Sequence, residues 1–187
     1  PSVLESFKKL SDTGNVEFLS ETYYHSLSFI YSKQEFARQV SMHAKAIKKH
    51  FGQQPEVFRN TELIFNNDLA EVIEGLGYKG MLAEGSDHIL GWRSPNFVYT
   101  SKGSNLKLLL KNYKLSDDIA FRFSNNEWSE YPLSSEKFAS WITSDSKADV
   151  INLFMDYETF GEHQWATTGI FQFMKNLPEQ LSGHGHE

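Results

Sequence analysis

Asp149–Gln164, DVINLFMDYETFGEHQ, joins an apolar run to a row of acids. Val150, Ile151, Leu153, Phe154 and Met155 are nearly uninterrupted, with β-branched residues at the start. The run predicts a strand buried on both faces, as in a parallel sheet covered by helices. Asp156, Glu158, Glu162 and His163 follow at once, and Gly161 lets the backbone turn among them. Acids at the carboxyl end of a buried parallel strand sit where α/β proteins place their chemistry. The segment reads equally as a solvated acidic loop, and only a second carboxylate decides between the two.

Upstream, the pattern alternates between strand and helix. Val16–Leu19 reads as a short strand, followed by a polar stretch with Glu21, Tyr23, Tyr24 and His25. Phe36, Val40, His43, Ile47 and Phe51 share one helical face, with Ser32 as the N-cap and Gly52 as the stop. Val57–Arg59 is a strand after Pro55. A helix over about 68–76 is capped by Asn66 or Asn67 and ended by Gly77, and Gly80–Glu84 is the next strand. Gly85–Gly103, with Trp92–Asn96 inside it, reads as irregular. Leu106, Leu109, Leu110 and Tyr113 predict a helix capped by Ser104, and Ile119–Phe123 alternates like a strand. Ser134 caps a further helix, with Leu133 and Phe138 spaced as a hydrophobic staple. Downstream, Ile170, Phe173, Met174 and Leu177 give a last helix stopped at Pro178, and Ser182–Glu187 reads as frayed. This alternation predicts a single α/β domain with a parallel sheet and helical crossovers.

Bulk properties narrow the function classes. A chain of 187 residues, 40% hydrophobic and 22% charged, can bury one sizeable core. Its formal net charge of −6 argues against nucleic acid or an anionic membrane as the main partner. No apolar run is long enough to span a bilayer and no signal-peptide pattern opens the chain. Its first residue is Pro1 rather than Met, so this says little about export, and a cytoplasmic location is the expectation. Without cysteine there is no disulfide, thiolate metal site or Cys nucleophile. Aromatic residues reach 14%, which suits a core and also suits sugar-binding clefts, where flat rings cover the apolar faces of pyranoses.

The second carboxylate lies in Phe58-Arg59-Asn60-Thr61-Glu62, where a short strand again runs into a polar cluster ending in an acid. Glycoside hydrolysis needs such a pair, one carboxylate attacking the anomeric carbon and one protonated carboxyl assisting departure. Arg59 beside Glu62 would keep a nucleophile ionised, and Glu158 near Asp156 would favour its protonated form. The same residues also fit an ion pair at a cleft edge and a helix cap.

FRNTEL at Phe58–Leu63, MDYETFGEH at Met155–His163 and GNVEFLSETYYHSL at Gly14–Leu27 resemble conserved regions of glycoside hydrolase family 57, most closely its α-amylase-type branch. GYKGMLAEG at Gly77–Gly85 is similar to the segment after that branch's nucleophile region. The resemblance implies an incomplete, seven-stranded (β/α) barrel and a retaining double displacement on α-glucans, without metal or organic cofactor. By motif match, Glu62 falls on the nucleophile and Asp156 on the general acid/base. Glu17 and His25 fall among cleft-lining substrate contacts. Arg59 and Glu158 lie inside matched motifs, as substrate contacts that orient and tune. Trp92 reads as a sugar-stacking platform or as a buried core residue. The family's His-Gln-Pro motif on the first strand and its C-terminal helical region are not found. The chain therefore reads as a central portion of a larger catalytic domain, of doubtful activity by itself.

Three other activities stay open. A 4-α-glucanotransferase or branching-type transglycosylase would use the same two acids. A non-catalytic glucan-binding module would use Trp92, Tyr23 and Tyr24 as stacking surfaces. A metal-dependent polysaccharide deacetylase would need an Asp with paired histidines, and the seven histidines show no H-x-x-x-H spacing. His43, on an apolar helical stripe, reads as a core-edge residue, and His184 and His186 lie in the tail.

Overall fold

The computed structural model describes residues 2–144 and 147–183. The chain forms two compact units: Pro1–Glu84 with Val98–Leu110, and Gly85–Phe97 with Lys111–Glu187. His184 and His186 lie outside the described residues.

In the first unit, α1 (Val3–Asp12), α2 (Ser28–Tyr31) and α3 (Lys33–Phe51) precede β1 (Val57–Arg59). Then come α4 (Asn67–Gly75), β2 (Gly80–Glu84), β3 (Tyr99–Thr100) and β4 (Lys107–Lys111). The sheet order is β1-β2-β4-β3. β1 runs parallel to β2, with Phe58 opposite Met81, and β3 runs antiparallel to β4. Phe36, Val40, Phe58, Leu69, Ile73 and Met81 are all but inaccessible to solvent. Each such side chain contributes about 1.5–3 kcal/mol by leaving water.

α3 starts and stops where its sequence predicts. The Ser32 side chain accepts from the Glu35 N–H, and Gly52 closes the helix at φ 76°, a left-handed conformation that costs glycine nothing. Asn66 caps α4 in the same way, accepting from the Leu69 N–H. Two predictions in this unit are corrected. Val16–Leu19 is not a strand, because the Gln53 side-chain amide takes its backbone groups: Nε2 donates to the Val16 carbonyl at 2.7 Å and Oε1 accepts from the Phe18 N–H at 3.0 Å. Pairing falls instead on Ser20, whose N–H donates to Val57 O and whose carbonyl accepts from Arg59 N. The predicted helix after Ser104 is strand β4. Leu106, Leu108 and Leu110 are all buried, the period of two of a strand, whereas the helical reading took Leu106, Leu109, Leu110 and Tyr113; the flanking β2 and β3 settle it.

In the second unit, α5 (Asp87–Leu90) and α6 (Tyr113–Asp117) precede α7 (Ser135–Thr143) and α8 (Ile170–Gly183). Ile119, Leu133, Phe138, Ile170, Phe173 and Leu177 form its core, with the Phe138 ring edge-on to both Trp141 and Phe173. Ser134 caps α7, and Leu133 and Phe138 are buried together as the staple spacing predicts. Gly85 passes so close to the Lys111 carbonyl that a Cβ would collide with it.

Three expectations fail in this unit. The predicted strand Ile119–Phe123 lies instead on a π-helical turn, Asp118–Arg122, that continues from α6 and is capped by Phe123: Ile119, Ala120 and Phe123 are buried while Phe121 faces solvent. α8 passes through Pro178 to Gly183, because Leu181 packs on the same core as Leu177 and offsets the lost hydrogen bond. Ser182 and Gly183 thus belong to a helix. The run Val150–Met155 pairs only at Asn152, opposite Lys111. At its start and near its end, Asp149 and Val150 N–H donate to Asn96 O and Phe154 N–H donates to Ser116 Oγ. Its residues are half-buried. The described residues are mixed α/β, with a four-stranded sheet in the first unit.

Candidate active site

In the first unit, β1 ends at Arg59 and the chain turns sharply through Asn60–Ile64. Glu62 and Leu63 take φ values of 54° and 56°, in the left-handed region that non-glycine residues avoid. The Asn60 side-chain amide donates to Ile64 O at 2.9 Å and closes the turn. Thr61, buried beneath it, donates to Ser26 O and accepts from Thr22, whose Oγ1 in turn accepts from the Ser26 N–H. This hydroxyl pair ties the turn to the loop carrying His25, itself at φ 50°. Held this way, His25 Nε2 lies 3.0 Å from Glu62 Oε1.

Glu21 stands behind His25. Its Oε1 is 3.7 Å from His25 Nδ1, and its Oε2 is 3.4 Å from Arg59 Nη1. Arg59 therefore pairs with Glu21. The Glu21 N–H donates to His43 Nδ1 at 3.3 Å, which makes His43 the satisfied core-edge residue its stripe predicts. Glu17 is exposed and has no ion pair among the described residues. Tyr23 and Tyr24, edge-on to each other, are exposed on the same loop.

Two measurements read this geometry. If the left-handed backbone at residue 62 is strained, Glu62→Gly is more stable than Glu62→Ala by about 1 kcal/mol in urea unfolding, since both lack the carboxylate and only glycine tolerates the φ. Equal stabilities would mean the turn relaxes. The second concerns His43, where burial lowers the pKa below 6.5 and the Glu21 charge opposes this. The unfolded chain then binds more protons just below pH 6.5. Stability is full above that pH and falls as pH drops through the window beneath it. His43→Gln keeps an acceptor and should flatten this slope between pH 7.5 and 5; an unchanged slope would assign it to other groups.

In the second unit, Asp156 precedes a short 3₁₀ turn, Tyr157–Thr159, and its carbonyl accepts from the Thr159 N–H. Its side chain is exposed at a cavity of about 180 Å³ that Glu158, His163, Lys111, Asp117 and Phe121 also line. His163 Nε2 is 3.4 Å from Glu158, and Lys111 is 3.7 Å from Asp117. Buried Gln164 shapes the loop, donating from Nε2 to Ala120 O and exchanging backbone bonds with Thr159 and Gly161. Trp92 is 94% exposed, which removes the buried-core alternative. Among the described residues, no group of three or more His, Asp and Glu could hold a metal ion, and no helix is long and apolar enough to cross a membrane.

The chain is a mixed α/β protein in which Glu62, on the turn after β1, has the His25 imidazole against it and Asp156 is exposed on a separate loop. The chain belongs to glycosyl hydrolase family 57, whose model matches residues 1–187. It is 51% identical over 185 residues to a Methanocaldococcus jannaschii protein named "Putative alpha-amylase", covering 98% of this chain and 39% of that one. The chain thus spans about two fifths of the length of that relative. Its fold is similar to a 4-alpha-glucanotransferase from Thermococcus litoralis, with TM-score 0.72 and 16% identity, covering 96% of this chain and 30% of that one. It is also similar to a family 57 branching enzyme from Thermococcus kodakaraensis, with TM-score 0.70 and 16% identity, over 100% of this chain and 48% of that one.

Glu21, His163 and Phe121 were not singled out from the sequence as site residues. The signal for Glu21 was available in its spacing of four from His25, but that spacing brings side chains together reliably only on a helix, and this segment is a loop.

Proposed function

We propose that this chain is the catalytic α/β portion, within an incomplete seven-stranded (β/α) barrel, of a retaining glycoside hydrolase acting on α-glucans. Glu62 attacks the anomeric carbon and forms a β-linked glycosyl-enzyme. Asp156 protonates the departing glycosidic oxygen, then takes a proton from the water that releases the sugar. Water as acceptor gives hydrolysis; a sugar hydroxyl at the same step gives transglycosylation. The observation that carries the reading is Glu62 itself: a carboxylate in a matched family motif, on a strained turn after β1, with an imidazole 3.0 Å away. Strained backbone gathers at functional sites because surrounding structure must impose it. Glu17, His25, Arg59, Glu158 and Trp92 serve as substrate contacts in this proposal, and the cell compartment is the cytoplasm.

Trapping the intermediate tests the assignment. A ring-fluorinated α-glucosyl fluoride slows turnover while its fluoride leaving group still allows attack. Mass spectrometry of the digested protein should find the sugar on the peptide containing Glu62. A label on another carboxylate would move the nucleophile there, and a steady absence of label under turnover would remove the retaining mechanism.

A further inference from the structure

Both ring nitrogens of His25 face carboxylates. Nε2 meets Glu62 Oε1 at 3.0 Å and Nδ1 meets Glu21 Oε1 at 3.7 Å. An imidazole with acceptors on opposite sides has one favoured ring orientation, since rotation about its side-chain bonds removes both partners together. Glu62 is the more exposed carboxylate, its side chain 70% accessible against 29% for Glu21. Glu21 is therefore the fixed end of the chain. Its other oxygen is held by Arg59, itself mostly buried and rooted in β1, and its N–H is held by His43 on α3. Next to it, Ser20 bridges Phe58 and accepts the Tyr78 hydroxyl at 2.7 Å.

We propose that Glu21 is a positioning residue: anchored by Arg59 and His43, it holds the His25 ring so that Nε2 presents a donor to the Glu62 carboxylate. The role follows from the order of the contacts. A long, exposed Glu62 side chain would otherwise sample several rotamers, and side-chain freedom lost on reaction lowers the rate. A donor fixed at 3.0 Å selects one of them. Glu21 does not meet the sugar in this scheme. It acts through His25, as the buried carboxylate of a catalytic triad acts through its histidine. The inference rests on Glu62 being the nucleophile.

Glu21→Gln tests it, because the amide keeps the size and backbone contacts and loses the charge. Expected is a fall in kcat for α-glucan cleavage of about 2- to 5-fold, the span for losing a partly exposed ion pair, with KM little changed. The thermal midpoint should stay near that of the unaltered chain. In a His25→Ala background the same substitution should have almost no further effect on kcat, because the element that carries the coupling is gone. An effect of equal size in both backgrounds overturns the proposal and makes Glu21 a structural partner of Arg59. Unchanged kcat in Glu21→Gln overturns it as well. If Glu62→Ala keeps its activity, the nucleophile assignment fails, an outcome distinct from a failure at Glu21.

Discussion

If Glu62 is the nucleophile, Glu62→Ala should lower α-glucan cleavage by on the order of 10⁴-fold or more, and azide should return part of the rate by forming a β-glycosyl azide. The size follows from the role. A nucleophile that forms a covalent intermediate has no substitute at its position, and its removal leaves only binding and electrostatic assistance. A factor of 10⁴ is about 5.4 kcal/mol of barrier, far beyond what an exposed ion pair with His25 contributes to stability. Folding should therefore survive the substitution, and the circular dichroism spectrum should match that of the parent. Truncation leaves a space for a small anion on the face opposite the leaving group. Azide entering there attacks the α-glycoside directly, so its product has the inverted β configuration. Nuclear magnetic resonance of the product reads the anomer. An α-azide, or no rescue with activity retained, would take the nucleophile role from Glu62.

The motif points to Glu62 but says nothing of its left-handed conformation, and there sequence reading ends. Helices α3, α4 and α7 were readable because caps and apolar stripes are local: Ser32, Asn66 and Ser134 each accept an N–H three residues on. β4 was not, because Leu106, Leu108, Leu109 and Leu110 satisfy both periods and the choice belongs to strands distant in sequence. Val16–Leu19 and Val150–Met155 fail for a related reason. Their composition favours strands, but Gln53, Asn96 and Ser116 take backbone groups that a ladder would have used. Within the site, Arg59 was expected beside Glu62 by adjacency, and the structure pairs it with Glu21 instead. The reason lies in the turn: Glu62 has left the strand for a left-handed turn, while Ser20, bridged to Phe58, brings the adjoining Glu21 alongside Arg59.

The counterpart at the other carboxylate has an opposite signature. Asp156→Ala should lower cleavage of natural α-glucans by about 10²- to 10⁴-fold, the usual worth of general acid–base assistance. The loss should depend on the leaving group. An aryl α-glycoside with a strongly acidic phenol departs without a proton, so glycosylation of Glu62 proceeds and the intermediate accumulates as a burst of phenol. Its hydrolysis stays slow, because nothing at residue 156 activates water. Azide needs no base, and the truncated side chain opens space beside the cavity lined by Glu158, His163 and Phe121. It therefore attacks the β-linked glycosyl-enzyme from the α face and yields the α-azide. The two variants are thus separated by the sign of one stereocentre rather than by a rate alone. Loss of activity from misfolding would produce neither anomer. A β-azide from Asp156→Ala would interchange the two roles. Equal losses for good and poor leaving groups would mean that Asp156 donates no proton, and Glu158, paired with His163 at 3.4 Å on the same loop, becomes the acid to test next.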